Sequence, residues 1–239
     1  MKIKNIISVL SALFVTVSAL THSFVSVSAE QYQNQKDEVV MLVNEQRTAN
    51  GKAILYESAL LNQAAQVRAE ELISSFSHTR PDGRKSFTAF TDLGGTYMAI
   101  GENIAFGYPT EADVMNGWMN SEGHRANILS DAYSAMGVGV ATDGASLYWV
   151  QLFTDGKNLT SIYTLGNINR DTVTNATDAS LVLRDAADKG AGNSGILNRM
   201  QRNFADVNQN QKADSEDASV ILRYAAYVGA GGTNSIENF

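Results

Sequence analysis

The sequence predicts an α+β chain that ends in a small all-α unit, and three observations carry that prediction. Helical apolar stripes come first, an antiparallel hairpin follows, and a segment beginning at Asn167 returns at Asp206, an offset of 206 − 167 = 39. The length of 239 residues fits one or two domains of about 150 residues each. With 44% hydrophobic and 18% charged residues and only 2 Pro, the composition is globular and excludes a disordered, collagenous or polytopic membrane chain. A net charge of -7 gives no field for phosphate backbones or anionic lipid, so nucleic acid and stable membrane insertion are not expected, while cations are favoured partners.

The elements follow in order. Lys2 and Lys4, the apolar run from Ile6 to Leu20 and the ending Val27-Ser28-Ala29 have the layout of a secretory signal peptide over residues 1–29. The expectation is export, with the mature protein secreted. Zero Cys excludes disulfides and thiol chemistry, and only His78 and His124 remain as imidazoles beyond the leader. Asp37 to Arg47 carries Val39, Val40 and Val43 on one helical stripe and stops at Asn50-Gly51. A second helix opens near Ser58 and repeats Leu61, Ala65, Ala69 and Leu72. Thr110-x-x-Asp113 reads as a capping box opening a third helix through Val114 and Trp118. Met136 to Ala141 and Leu147 to Phe153 then read as two strands around the turn Thr142 to Ser146.

Asp155 to Leu165 is polar and without periodicity, which places a boundary there. The expected organisation is a leader at 1–29, a first domain at 30–154, a linker at 155–164 and a second domain at 165–239. Within the second, Asp178-Ala179-Ser180 matches Asp217-Ala218-Ser219, and Leu183-Arg184 matches Leu222-Arg223.

Each repeat opens with side-chain oxygens at alternate positions: Asn167, Asn169, Asp171, Asn175 and Asp178, then Asp206, Asn208, Asn210, Asp214 and Asp217. These are positions 1, 3, 5, 9 and 12 of an EF-hand-like calcium loop, with the main-chain carbonyl of Val173 or Lys212 at position 7. Asn and Asp also cap helices and form turns, which is the alternative for either loop alone. Ala179 to Ala187 and Ala218 to Ala226 read as helices, with Leu183 and Leu222 expected on the packing face.

With Asp at position 12 and one helix after each loop, the segment resembles the dockerin family. The resemblance implies a small helical module that holds two calcium ions and binds a cohesin domain of a scaffoldin, as in cellulosomes. Ala176, Thr177, Arg184, Ser215, Glu216 and Arg223 then occupy the partner-facing positions. Position 6 holds Thr172 and Gln211 where a positive φ favours Gly, at a cost on the order of 1 to 2 kcal/mol. Only Asp171 and Asp178 are anionic in the first loop, against Asp206, Asp214 and Asp217 in the second, so the first site is expected to be the weaker.

Three phrases in the first domain carry chemistry: Phe76-Ser77-His78-Thr79-Arg80, Gly101-Glu102-Asn103-Ile104-Ala105, and Trp118 through Gly123-His124-Arg125-Ala126-Asn127-Ile128-Leu129. In this order, across Asp37 to Phe153, they resemble the CAP superfamily in its disulfide-free, SCP-like bacterial branch. The resemblance implies an α-β-α sandwich with one cleft into which His78, Glu102 and His124 project. Ser121 and Tyr148 stand where other members place further cleft residues, so the family's four-residue set is not complete. Three functions stay open: a cleft that binds an unidentified ligand, a metal-dependent hydrolase or peptidase in which His78, Glu102 and His124 hold zinc or another divalent ion, and a passive spacer.

Overall fold

A computed structural model describes residues 32–239 except 157, 158, 160, 163 and 172. The leader at 1–29 and Thr172 therefore lie outside the described residues. Helix α1 spans Gln33–Ala49, strand β1 Tyr56–Glu57, α2 Ala59–Ser74, α3 Thr88–Thr91 and β2 Ile100–Phe106. Then come α4 Glu111–Met119, α5 Glu122–Ile128, β3 Ala135–Thr142 and β4 Leu147–Thr154. The C-terminal unit holds α6 Ala176–Gly190, α7 Arg199–Ala205, α8 Ser215–Gly229 and a 3-10 turn Ile236–Asn238. Among the described residues no helix is long and apolar enough to cross a membrane.

The sheet has the order β1-β3-β4-β2, with β1 parallel to β3 and the other pairs antiparallel. Side chains alternate between its faces. On one face Ile104, Val150 and Leu152 pack with Leu61, Ala65, Ala69 and Leu72 of α2 and with Phe90. On the other, Met136, Val138, Trp149 and Phe153 pack with Val39, Val40 and Val43 of α1 and with Val114, Trp118 and Ile128. This is the expected α+β sandwich. Gly137 and Gly139 bring β3 against α2 so closely that a Cβ at either would enter the backbone at Leu61 or Ala65. Thr110 caps α4 by accepting from the Asp113 N–H, as the Thr-x-x-Asp spacing predicts.

In the C-terminal unit α6 and α8 pack on each other around Ile168, Ala179, Val182, Ala205, Ala218 and Ile221. The expected packing face is corrected here: Leu183 and Leu222 are 43% and 44% exposed, while Val182 and Ile221, one position earlier, are buried. Within the stretch expected to be a linker, Ser161 and Ile162 contact the first unit. Ser161 bridges Ser58, the Ile162 N–H donates to the Glu57 carbonyl, and Ile162 is buried in the core that also contains Met200 of α7. Asn198 and Arg199 at the start of α7 bond to α1 through Asp37, Glu38 and Glu45, so the two units touch.

Candidate functional site

The cleft residues meet at the edge strand β2. Its alternation turns Glu102 toward α2, where Arg68 Nε donates to Oε1 at 2.8 Å, and turns Asn103 toward α5. His78, in the loop after α2, places Nδ1 2.7 Å from Glu102 Oε2. Asn103 Nδ2 donates to the His124 carbonyl at 3.1 Å and to Gln151 Oε1 at 3.0 Å. Asn127 Nδ2 returns to Asn103 Oδ1 at 2.9 Å. The α5 helix is thereby fixed to the sheet edge, and its N-cap position is Ser121. Among the described residues, the buried Nε2 of Gln151 has no partner.

The two imidazoles are driven apart electrostatically. The hydrogen bond to Glu102 raises the His78 pKa against the opposing effect of burial, while burial and then the nearby His78 lower that of His124. The Glu102 hydrogen bond thus favours the charged form of His78 and burial the neutral ring of His124, a pairing suited to orienting a polar group. Both Glu102 oxygens are engaged, one by Arg68 and one by His78. Among the described residues no three His, Asp or Glu groups gather as a metal-ligand cluster.

Arg68 is the cleft residue the sequence reading missed. It is fully buried and also donates to Glu71 Oε2 at 2.6 Å and to the Ser77 carbonyl at 2.6 Å, tying the His78 loop to α2. A signal was available, since position 68 falls on the stripe of Leu61, Ala65 and Leu72, where a lone charge requires a buried partner. Arg80 binds Glu71 and Asp92 and so braces the same loop, while Arg125 donates to the Met119 carbonyl. Glu122 faces solvent, and Trp118 and Trp149 belong to the core.

The two oxygen loops show the same wiring. Asp178 Oδ1 accepts from the N–H groups of Ile168 and Asn169, and Oδ2 from Asn175. In the second loop Asp217 accepts from Asn208 and Asp214. Asn175 and Asp214 are N-caps that form capping boxes with Asp178 and Asp217. Asn167, Asn169 and Asp171, and likewise Asp206, Asn208 and Asn210, accept from N–H groups of the next turn. The Val173 carbonyl accepts from Asn175 Nδ2, and the Lys212 N–H donates to Asn210. Position 6 of the second loop, Gln211, has φ 71, as the loop spacing requires.

The donor chemistry fits a hard cation. Asp178 and Asp217 are 0% exposed, and their hydrogen-bond partners are neutral N–H groups. Among the described residues neither carboxylate meets a cationic side chain, and each retains a free lone pair for an ion. The positions expected to face a partner, Ala176, Thr177, Arg184, Ser215, Glu216 and Arg223, are all exposed.

A sequence model described as CAP, the Cysteine-rich secretory protein family, matches residues 40–153. The uncharacterized protein YkwD of Bacillus subtilis (strain 168) is 35% identical over 117 residues, 48% of this chain and 45% of that protein. The uncharacterized membrane protein YlbC of the same organism is 46% identical over 44 residues, 18% of this chain and 13% of that protein. A solved extracellular protein containing a SCP domain from Bacillus anthracis str. Ames has a TM-score of 0.47 at 24% identity, covering 50% of this chain and 40% of that one. The chain thus spans less than half the length of each of these relatives. Residues 40–153, which match the CAP family model, contain His78, Glu102 and His124.

Proposed function

We propose that this is a secreted component of an extracellular assembly, in which a calcium-loaded dockerin module binds the cohesin domain of a scaffoldin and displays the CAP domain as a ligand-binding unit. The observation that carries the tether is the repetition of a buried position-12 carboxylate held, among the described residues, by main-chain N–H groups: Asp178 and Asp217, with 217 − 178 = 39. The side chains Asn167, Asn169, Asp171, Asn175 and Asp178 would hold one ion, and Asp206, Asn208, Asn210, Asp214 and Asp217 the other, with the carbonyls of Val173 and Lys212. Calcium supplies the counter-charge that lets two acidic loops stay folded at the helix starts. The exposed pairs Leu183-Arg184 and Leu222-Arg223 then offer one apolar and one cationic group each to a partner.

In the cleft, His78 in its charged form presents an Nε2–H, and neutral His124 a lone pair, to a polar group of the ligand. The buried Arg68 guanidinium and His78 on Glu102 offset its negative charge and so disfavour it as a metal ligand or general base, which supports ligand binding over a metal-dependent hydrolase. The tether is tested by measuring binding of the full chain to a panel of cohesin domains in calcium and in EDTA. At least one complex is expected in calcium and none in EDTA; no calcium-dependent complex with any cohesin overturns the proposal.

A further inference from the structure

We infer that Asp37, on the first helix of the CAP domain, is a positioning residue for the cation of the first oxygen loop. The inference rests on the proposal that these loops bind cations. Arg170 stands at position 4 of the first loop, between Asn169 and Asp171, and Gln209 stands at the same place in the second. Both adopt the left-handed region, with φ 66 and φ 57, although neither is glycine. Such a turn needs support from its surroundings.

The two loops obtain that support differently. Gln209 is neutral and exposed. Arg170 reaches out of its loop to the CAP domain, where its Nη2 pairs with Asp37 Oδ2. Asp37 is itself buried and is held by Gln33 Nε2 at 2.9 Å and by Asn198 Nδ2 at 2.6 Å. Asn198 also donates to Asn34 Oδ1 at 3.1 Å, and Arg199 bonds Glu38 and Glu45 at 2.8 Å each. Asp37 is therefore a fixed anchor, set by two helices before the loop is considered.

The pairing acts on the cation in two ways. It turns a guanidinium that sits between two ligand residues away from the loop and neutralises it, which removes a like charge from beside the ion. It also holds the left-handed turn at Arg170, between Asn169 and Asp171, so less ordering is required when the ion binds. Only the first loop depends on the CAP domain in this way. That loop is also the one with fewer anions, and Asp37 supplies through Arg170 part of what its own sequence lacks.

Calorimetric titration of the metal-free full chain with calcium tests this, with Asp206→Ala used to identify the second site. Asp37→Asn, which keeps the side-chain shape, is expected to weaken the first site about ten-fold, within the usual range of coupling between sites, and to leave the second within two-fold. Adding Arg170→Gln to Asp37→Asn is expected to recover most of that loss, because the unpaired charge is gone. Arg199→Ala, which loosens the same interface without touching the loop, is expected to leave both sites within two-fold. Two sites in the parent chain with neither changed by Asp37→Asn overturns the inference alone. Equal weakening of both sites, no recovery in the double variant, or an Arg199→Ala loss as large as that of Asp37→Asn does the same. A parent chain that takes up no calcium overturns the cation reading of the loops and this inference with it.

Discussion

Glu57 ends the two-residue strand β1 with its carboxyl buried; Oε1 accepts from Asn62 Nδ2 at 2.6 Å and, among the described residues, Oε2 has no partner. Burial, reinforced by Asp37, pushes its pKa from 4.5 up to about 7. Between those values the folded chain keeps a proton that the unfolded chain has released, so stability falls as pH rises from about 4.5 to about 7 and then levels off. Glu57→Gln is expected to flatten that slope and to stabilise the protein by about 2 kcal/mol at pH 8, after allowance for one unsatisfied amide donor. Urea unfolding at pH 5 and pH 8 reads both quantities; an unchanged slope would sink the assignment. Arg68 is the opposite case, a buried cation with three acceptors. Arg68→Leu is expected to cost roughly 3 to 5 kcal/mol, because Glu102 is left buried beside His78 alone. A loss under about 1 kcal/mol in the same assay would mean that Glu102 is not held as described. His78, Glu102 and His124 were legible through their phrases, whereas Arg68 was hidden in a helix read only for its apolar positions.

Among the elements, the contact of β3 with α2 is set by two small residues. Gly139→Ala would force its Cβ into the Ala65 carbonyl, where neither strand nor helix has room. The expected loss is about 2 kcal/mol or more in thermal or urea unfolding, against a few tenths for an alanine at the open Gly123. Equal effects of the two substitutions would contradict the close approach. The long helices α1, α2 and α4 and the hairpin β3–β4 were legible because apolar periodicity runs through each. Strand β2 is hidden in the sequence, because Gly101-Glu102-Asn103 interrupts the apolar signal with polar residues that serve the cleft. Helices α5 and α7, of 7 residues each, are too short to show a period. In α6 and α8 the larger leucines drew the packing face one residue too far. The small Ala179 and Ala218 instead lie at 1% exposure where the two helices meet, and Leu183 and Leu222 stay outside.

At the scale of the molecule, the repeat marked the second unit plainly, but its docking was invisible in sequence. The contacts of Arg170, Asn198 and Arg199 with α1 span more than 130 positions, and no local pattern announces them. Met200 and Ile162 complete the core of the N-terminal unit, so the C-terminal unit is seated on it as well as carrying its own core. Its duplicated loops place acidic side chains at the starts of α6 and α8 and bury Asp178 and Asp217, among the described residues, without a cationic side chain. The order of these two helices should therefore depend on an added cation. Far-ultraviolet circular dichroism of the full chain, recorded in calcium, after EDTA and after calcium is restored, tests this most directly. A reversible loss of helical signal on chelation is predicted; an identical spectrum in all three conditions would contradict it.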